Sequence, residues 1–232
     1  MPTLTPIRKA PLSRAWALLL DLVYPPRCGG CEKRGTLMCD GCLTRVEPPF
    51  ESPDVERIDA VISAGLYQEP LRGAIHRLKY ESDTPLARPL ALLISGALAR
   101  DDRWLADDGE PPVIVPVPLH RSRQRARGYN QSELLARELA KLTGWQVDQR
   151  LKRVRSTPPQ VGLDSQARID NVREAFEWAG EEAPPRVMLI DDVCTTGSTL
   201  SECAFALLSR GSEHVFAATV ARATGHPLTA DS

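Results

Sequence analysis

The chain has 232 residues, of which 42% are hydrophobic and 25% are charged. A chain of this length and composition is able to bury one sizeable core together with a small accessory module. Its 29 basic and 30 acidic residues leave a net charge of −1. The protein therefore lacks the global basic field that would by itself indicate a nucleic-acid partner.

Near the amino terminus, residues 16–23 are apolar except for Asp21. This stretch is too short to span a bilayer, and we expect it to form an amphipathic helix that packs on the body. No signal-peptide arrangement precedes it, so we predict no membrane span and a cytoplasmic location. Thiols stay reduced there and remain available to zinc.

Four cysteines come next, with the spacing Cys28-x2-Cys31-x7-Cys39-x2-Cys42. Two facing CxxC turns complete a tetrahedron of thiolates around one zinc ion and leave no position open for a substrate. We predict a structural Zn²⁺ site, and two disulfides are the alternative. We expect nearby glycines to supply the positive φ angles that such turns often need, at Gly29, Gly30, Gly35 and Gly41.

Prolines at 48, 49 and 53 predict a domain boundary. Residues 1–53 would form the amino-terminal helix and zinc module, and residues 54–232 a second domain. In that domain, strand patterns cover residues 58–67, 113–115, 145–147, 187–191 and 215–220. Helical patterns cover 70–80, 85–100, 132–142 and a segment that starts after Gly197. This alternation predicts an α/β fold with a parallel sheet flanked by helices.

The strand at 113–115 leads into a segment that carries Arg121, Arg123, Arg125 and Arg127. Ligands bind at the carboxyl ends of the strands in such sheets. In an extended loop the alternating arginines would share one side, which suits a diphosphate or a nucleic-acid backbone equally well. A solvated loop that pairs with surface acids is the alternative.

The last strong pattern begins where the strand at 187–191 ends, with Asp191 and Asp192. A helix N-terminus follows and presents free amides, so a phosphate would suit the turn formed by Thr195, Thr196, Gly197, Ser198 and Thr199. We expect the aspartates either to accept hydrogen bonds from ribose hydroxyls or to help hold a metal ion. A plain helix cap is the alternative. Cys194 is expected in the turn, where it would be sensitive to oxidation, and Cys203 inside the helix.

The sequence DDVCTTGST after an apolar strand resembles the phosphoribosyl pyrophosphate (PRPP) loop of type I phosphoribosyltransferases. It lacks the lysine and the glycine spacing of a P-loop, and the chain has no GxGxxG. The cysteine module, LKY at residues 78–80, VPVPLHR at 115–121 and RGYNQ at 127–131 occur in the same chain. Together these motifs make it similar to the ComF family, competence-associated phosphoribosyltransferase-like proteins that include a GntX-like group.

The resemblance implies a type I phosphoribosyltransferase-like fold that binds PRPP or a nucleoside monophosphate with Mg²⁺. It implies catalytic roles for Asp191 and Asp192 and, on a mobile lid, for Arg168 and Arg173. Arg121 and Arg123 would join the 195–199 turn in substrate binding. Turnover would transfer ribose 5-phosphate and release pyrophosphate, with an acceptor that the sequence does not identify.

A noncatalytic adaptor of the competence machinery is the alternative function. Such a protein would sense nucleotide or handle single-stranded DNA, and its partners would be a competence helicase or DNA-processing proteins. Only 5% of the residues are aromatic. Because single-strand binding relies on stacking, tight direct binding of DNA is the weaker expectation. The sequence does not predict the oligomeric state.

Overall fold

The computed structural model describes residues 25–105, 110–154 and 175–223. The elements in chain order are α1 (Asp40–Leu43), β1 (Ala60–Leu66), α2 (Leu71–Tyr80), a 3₁₀ turn (Thr84–Leu86), α3 (Ala87–Leu98), β2 (Val113–Pro116), α4 (Arg121–Arg127), α5 (Gln131–Thr143), β3 (Leu151–Arg153), β4 (Phe176–Trp178), β5 (Arg186–Cys194), α6 (Ser198–Leu208) and β6 (His214–Arg222). The predicted helix at 16–23 and the predicted lid residues Arg168 and Arg173 lie outside the described residues.

The main sheet has four parallel strands in the order β1-β6-β5-β2. Strand β5 is internal, and residues 187–190 are fully buried. A parallel strand covered on both faces requires apolar side chains on both, which explains the unbroken run Val-Met-Leu-Ile. The predicted fold class, a parallel sheet flanked by helices with four cysteines near the amino terminus, is confirmed.

Alternate residues of β5 belong to two cores on opposite faces of the sheet. Met188 and Ile190 pack in the core that includes α2, α3 and α5. Val187 and Leu189 pack in the core that includes α6 and the antiparallel hairpin of β3 and β4. The carboxyl ends of all four strands therefore lie at one edge, between a helical layer on one face and a layer of α6 and the hairpin on the other.

The cysteine segment shares the first of these cores, because Cys28, Met38 and Cys42 pack in the same cluster as α2. The predicted boundary at residue 53 stays a prediction.

The predicted role of the glycines was wrong for three of the four, since only Gly35 has a positive φ, of 95°. Gly30 is needed for close approach instead, because a Cβ there would lie 2.3 Å from Pro70 Cβ.

The structure corrects three further predictions. The arginine segment is not an extended loop but helix α4, which His120 begins by accepting a hydrogen bond from Ser122 N and which Gly128 ends at φ 84°. Strand β5 does not end at Asp191 but runs on to Cys194, because its pairing with β6 continues to Arg222. Residues 145–147 form one bridge, Ile114 to Val147, rather than a strand.

Candidate functional site

The aspartate pair, Asp191 and Asp192, lies near the carboxyl end of β5, at the middle of the sheet edge. Asp191 Oδ1 accepts hydrogen bonds from Ser132 Oγ at 2.9 Å and from Asp192 N at 2.8 Å. Ser132 is placed by the start of α5, where Asn130 caps the helix. Burial, together with the neighbouring Asp192 charge, raises the pKa of Asp191 to about 7.

Asp192 is 3% exposed and its two oxygens have different surroundings. Oδ1 lies 2.7 Å from Lys79 Nζ. Oδ2 is buried and has no hydrogen-bond partner among the described residues. Burial acts to lower the pKa of Lys79, but the Asp192 carboxylate outweighs it and the net shift is upward. A buried acceptor without a partner is costly, so Oδ2 is a natural attachment point for a donor or a cation.

The turn at residues 195–199 connects β5 to α6. Gly197 has a φ of 78°, and a Cβ there would lie 2.4 Å from Val55 Cγ2, so the turn requires glycine. Thr196 Oγ1 and Ser198 Oγ are 2.8 Å apart and hydrogen-bonded. The first amides of α6 lack intrahelical acceptors and carry the positive end of the helix dipole. The turn thus has the backbone features predicted for a phosphate site.

A cavity with a volume of about 800 Å³ lies at the carboxyl end of β2. We call it the cationic groove after its basic lining residues, Arg121, Arg125, Lys152 and Arg153. The acidic residue in its lining is Glu133, whose Oε1 accepts hydrogen bonds from Arg137 and Gln149. Because β2 pairs with β5, the cationic groove and the aspartate pair lie at the same sheet edge.

The helical conformation of α4 separates the arginines that the sequence grouped together. Arg121 and Arg125 are one helical turn apart and line the cationic groove, whereas Arg123 is not among its lining residues. Arg127 instead packs over the Tyr80 ring at 5.1 Å. Burial, with a further contribution from the Arg123 charge, lowers the pKa of Arg153. Lys152 and Arg153 were missed, although the run Lys-Arg-Val-Arg at 152–155 was a visible signal.

The four cysteines form a compact cluster, with all Sγ atoms within 4.8 Å of one another. The Sγ atoms of Cys31 and Cys39 are 3.6 Å apart, far beyond the length of about 2.05 Å of a disulfide bond. Four sulfurs at about 2.3 Å from a tetrahedral zinc ion would be roughly 3.8 Å apart. All four thiols are free, so the cluster fits a structural metal ion such as zinc.

Backbone and side-chain donors surround the sulfurs. Cys39 N donates to Cys28 Sγ at 3.4 Å, and Arg45 Nη2 donates to Cys42 Sγ at 3.2 Å. Burial acts to raise the pKa of Cys28, but backbone amides, led by that of Cys39, lower it to about 6. The amide donors favour the thiolate of Cys28, which is the form that binds a metal. At Cys42 burial outweighs the Arg45 donor and raises the pKa of the thiol to about 12.

The other two cysteines lie in the second core. Cys203 is fully buried, as predicted. The expectation for Cys194 was wrong, because it is the last residue of β5, is 1% exposed and has its pKa raised by burial to about 11. A buried neutral thiol is poorly reactive, so Cys194 is not an oxidation-sensitive residue of the turn. Within the described ranges, no helix has the length and apolar character needed to cross a membrane.

Comparison with known proteins gives clear relatives. Competence protein F of Haemophilus influenzae is 36% identical over 205 residues, which are 85% of each chain. DNA utilization protein YhgH of Salmonella typhimurium is 35% identical over 193 residues, which cover 82% of this chain and 80% of that protein. Competence protein ComFC of Bacillus subtilis is 26% identical over 155 residues, which cover 62% and 56%.

Among solved structures, TT1426 from Thermus thermophilus aligns with a TM-score of 0.36 and 16% identity, over 63% of this chain and 86% of that one. No family model matches the chain.

Proposed function

The chain belongs to the ComF family, and on that premise we propose that its aspartate pair binds the ribose of PRPP or of a nucleoside monophosphate, together with Mg²⁺. The observation that carries this proposal is the state of Asp192, whose Oδ1 is held by Lys79 while its buried Oδ2 has no partner in the described part of the chain. A ribose hydroxyl would supply the hydrogen-bond donor that Oδ2 lacks, and a cation would instead place a positive charge beside Oδ2.

The neighbouring features suit the rest of the ligand. The 5-phosphate would lie on the amides of the 195–199 turn, where the dipole of α6 favours an anion. The diphosphate of PRPP would lie toward the cationic groove, where Arg121 and Arg125 offer forked donors to phosphate oxygens. Mg²⁺, held with the help of the aspartates, would neutralise charge on the diphosphate.

If the protein is catalytically active, the reaction is transfer of ribose 5-phosphate from PRPP. The bond between C1 of ribose and the diphosphate oxygen breaks, and pyrophosphate leaves with the electron pair. An acceptor nucleophile donates its lone pair to C1 and then loses its proton. The cations of the groove would stabilise the leaving diphosphate more than the bound substrate, which is the requirement for catalysis.

Calorimetric titration of PRPP with Mg²⁺ tests the proposal. Wild-type protein should bind saturably, and the variant Asp191→Asn/Asp192→Asn should lose binding. The matched control is Asp101→Asn/Asp102→Asn, a second pair of adjacent aspartates, of which Asp101 is ion-paired with Arg103. It should bind like wild type. Absence of binding by folded wild-type protein would contradict the proposal.

We also propose that the four-cysteine cluster holds one structural Zn²⁺ and that the protein is cytoplasmic. The sulfur separations and the donors to Cys28 and Cys42 support zinc. Reduced thiols, which zinc requires, persist in the cytoplasm.

A second candidate function, the handling of single-stranded DNA, is supported by the cationic groove and by the name of the relatives called DNA utilization proteins. The phosphates of a single strand would be attracted electrostatically to the cluster of cations in the groove. Tyr80 is 67% exposed, but Arg127 and His76 contact its ring, so it adds no free surface for base stacking. Affinity for single strands should fall as salt rises, and should fall on replacing Arg121 and Arg125 with alanine. An affinity unchanged in that variant would exclude the groove.

A further inference from the structure

Four successive residues at the end of α2 contact three other parts of the molecule. Arg77 Nη1 donates to the carbonyl oxygen of Cys28 at 2.9 Å. The carbonyl of Leu78 accepts a hydrogen bond from Tyr129 Oη. Lys79 pairs with Asp192, and the Tyr80 ring packs under Arg127. The last turn of α2 is therefore a junction between the cysteine cluster, the RGYNQ segment and the aspartate pair.

The backbone of the first CxxC turn also packs directly on the first part of α2. A Cβ on Gly73 would lie 2.9 Å from the carbonyl oxygen of Gly29, and a Cβ on Gly29 would lie 2.9 Å from the Cβ of Ala74. Ala74, Ile75 and Leu78 are fully buried in the core that Cys28 and Cys42 share. Because packed surfaces of this kind do not deform continuously, a displacement of the CxxC turn must displace α2.

Arg77 joins the last turn of α2 to the residues that precede Gly29. Its Nη1 also reaches the carbonyl of Arg27 at 3.3 Å, and its Nη2 pairs with Asp83, which follows α2. A planar guanidinium that bonds in two directions holds its partners in a fixed geometry. The backbone of residues 27–28, the last turn of α2 and the segment that follows it are thus held by one side chain.

We propose that Arg77 is a positioning residue that couples the four-cysteine cluster to the ribose site, by holding the last turn of α2 where Lys79 meets Asp192 Oδ1. The side chains of Lys79 and Asp192 are only 20% and 5% exposed, so the surrounding packing restricts how far Lys79 can adjust and its place on Oδ1 depends on where the helix turn is held. With Oδ1 occupied, Oδ2 is the oxygen left for the ligand. The ligand part of this inference rests on the proposed function, whereas the link from Arg77 to Lys79 is testable without any ligand.

The ligand-free test is amine labelling of the full-length metal-bound protein, read by mass spectrometry at Lys79. In wild-type protein the ion pair protects Lys79, and exposed Lys141 serves as the internal reference. Arg77→Ala should raise the labelling rate of Lys79 relative to Lys141 by about tenfold, within the usual range of coupling between sites. The control Arg88→Ala removes an exposed arginine on α3 and should leave the ratio unchanged. An unchanged ratio in Arg77→Ala would overturn the proposal.

A second variant disturbs the same contact without changing charge or touching a cysteine. Gly73→Ala places a methyl against the backbone of Gly29 and the mobile end of Glu69, each at 2.9 Å. Gly96→Ala, also inside a helix, meets among the described residues only the far end of Arg100 at 3.4 Å. Gly73→Ala should raise Lys79 labelling with zinc content retained, and Gly96→Ala should not. Equal labelling in the two variants would count against coupling through this contact.

The ligand test is a double-mutant cycle on the dissociation constant of PRPP with Mg²⁺. Arg77→Ala should weaken binding by about tenfold in the wild-type background and have no further effect when Lys79 is already alanine. A merely structural loss would weaken binding equally in both backgrounds, and that additive result would overturn the proposal. If wild-type protein binds no PRPP, the proposed function fails, and the labelling result still decides the link between Arg77 and Lys79.

Discussion

Lys79 Nζ lies 2.7 Å from Asp192 Oδ1, and the two side chains are only 20% and 5% exposed. This ion pair joins the end of α2 to the strand at the middle of the sheet. A buried charge that loses its partner is strongly destabilising, because desolvation is then no longer offset. The pair is therefore important for stability as well as for the proposed site.

The first prediction concerns removal of the lysine. Lys79→Met should lower the free energy of unfolding by about 3 kcal/mol, since it leaves Asp192 buried and unpaired. Lys79→Met/Asp192→Asn should recover part of that loss. The surface pair of Lys141 with Glu138 is the control, because Lys141→Met should cost no more than about 0.5 kcal/mol. Urea unfolding measures all three, and equal losses for the two lysines would refute the prediction.

The second prediction concerns pH. The folded state raises the pKa of Asp191 from 3.8 to about 7, so it binds a proton that the unfolded state releases. The contribution of this group to stability is thus fully present below pH 4, is lost as pH rises toward 7, and changes little above that. The free energy of unfolding of wild type relative to Asp191→Asn should fall from pH 5 to pH 7.

Both proteins carry the same cysteines, so the thiolates contribute equally to the pH dependence of their free energies of unfolding. Subtracting the value for Asp191→Asn from that for wild type removes this contribution. Affinity for PRPP with Mg²⁺ should change in the opposite direction and increase through pH 7, because Mg²⁺ prefers the ionised carboxylate. A stability difference that is flat with pH would show that Asp191 is already ionised.

The sequence was sufficient to predict the parallel sheet, because the buried run at 187–190 and the alternation of strands and helices depend on local pattern. It also located the aspartate pair and the four cysteines, which lie in short contiguous motifs. It did not predict the partner of Asp192. Lys79 is distant from Asp192 along the chain, and a lysine in the last turn of a predicted helix is already accounted for by the helix dipole.

The third prediction tests the turn at 195–199. Gly197→Ala forces a Cβ into a positive φ of 78° and against Val55. The backbone cost alone is about 1 kcal/mol, and the clash adds roughly 1–3 kcal/mol. Gly144 has a φ of 76°, and no described residue lies within 4 Å of a Cβ built there, so Gly144→Ala should show the backbone cost alone.

Val55→Ala combined with Gly197→Ala should restore stability toward the level of Gly144→Ala. Thermal unfolding of the variants gives the comparison. A Gly197→Ala protein as stable as Gly144→Ala would mean that the turn moves aside without cost.

The fourth prediction concerns the metal. Purified protein should contain about one zinc per chain, and Cys42→Ser, which replaces a fully buried ligand, should lose it and unfold at lower temperature. Cys203→Ala should keep its zinc, since that cysteine lies in the other core. Metal analysis and thiol titration decide this, and a metal-free protein with two disulfides would overturn it.

Helix α4 shows where local patterns mislead. Alternating arginines suggested an extended loop, yet arginine is a good helix former, and the segment is closed by a His120 cap and by Gly128. The other cations of the cationic groove, Lys152 and Arg153, lie on β3. This three-residue strand is defined by its pairing with β4, which is far away in the sequence. Contacts of that kind are set by tertiary structure, which sequence periodicity does not encode.

A crystal structure of the protein with PRPP and Mg²⁺ would show directly whether the aspartate pair binds the ribose. We expect a ribose hydroxyl or the metal ion, through one bound water at most, on Asp192 Oδ2, and the 5-phosphate on the amides of the 195–199 turn. A ligand bound elsewhere, with Oδ2 still without a partner, would contradict that expectation.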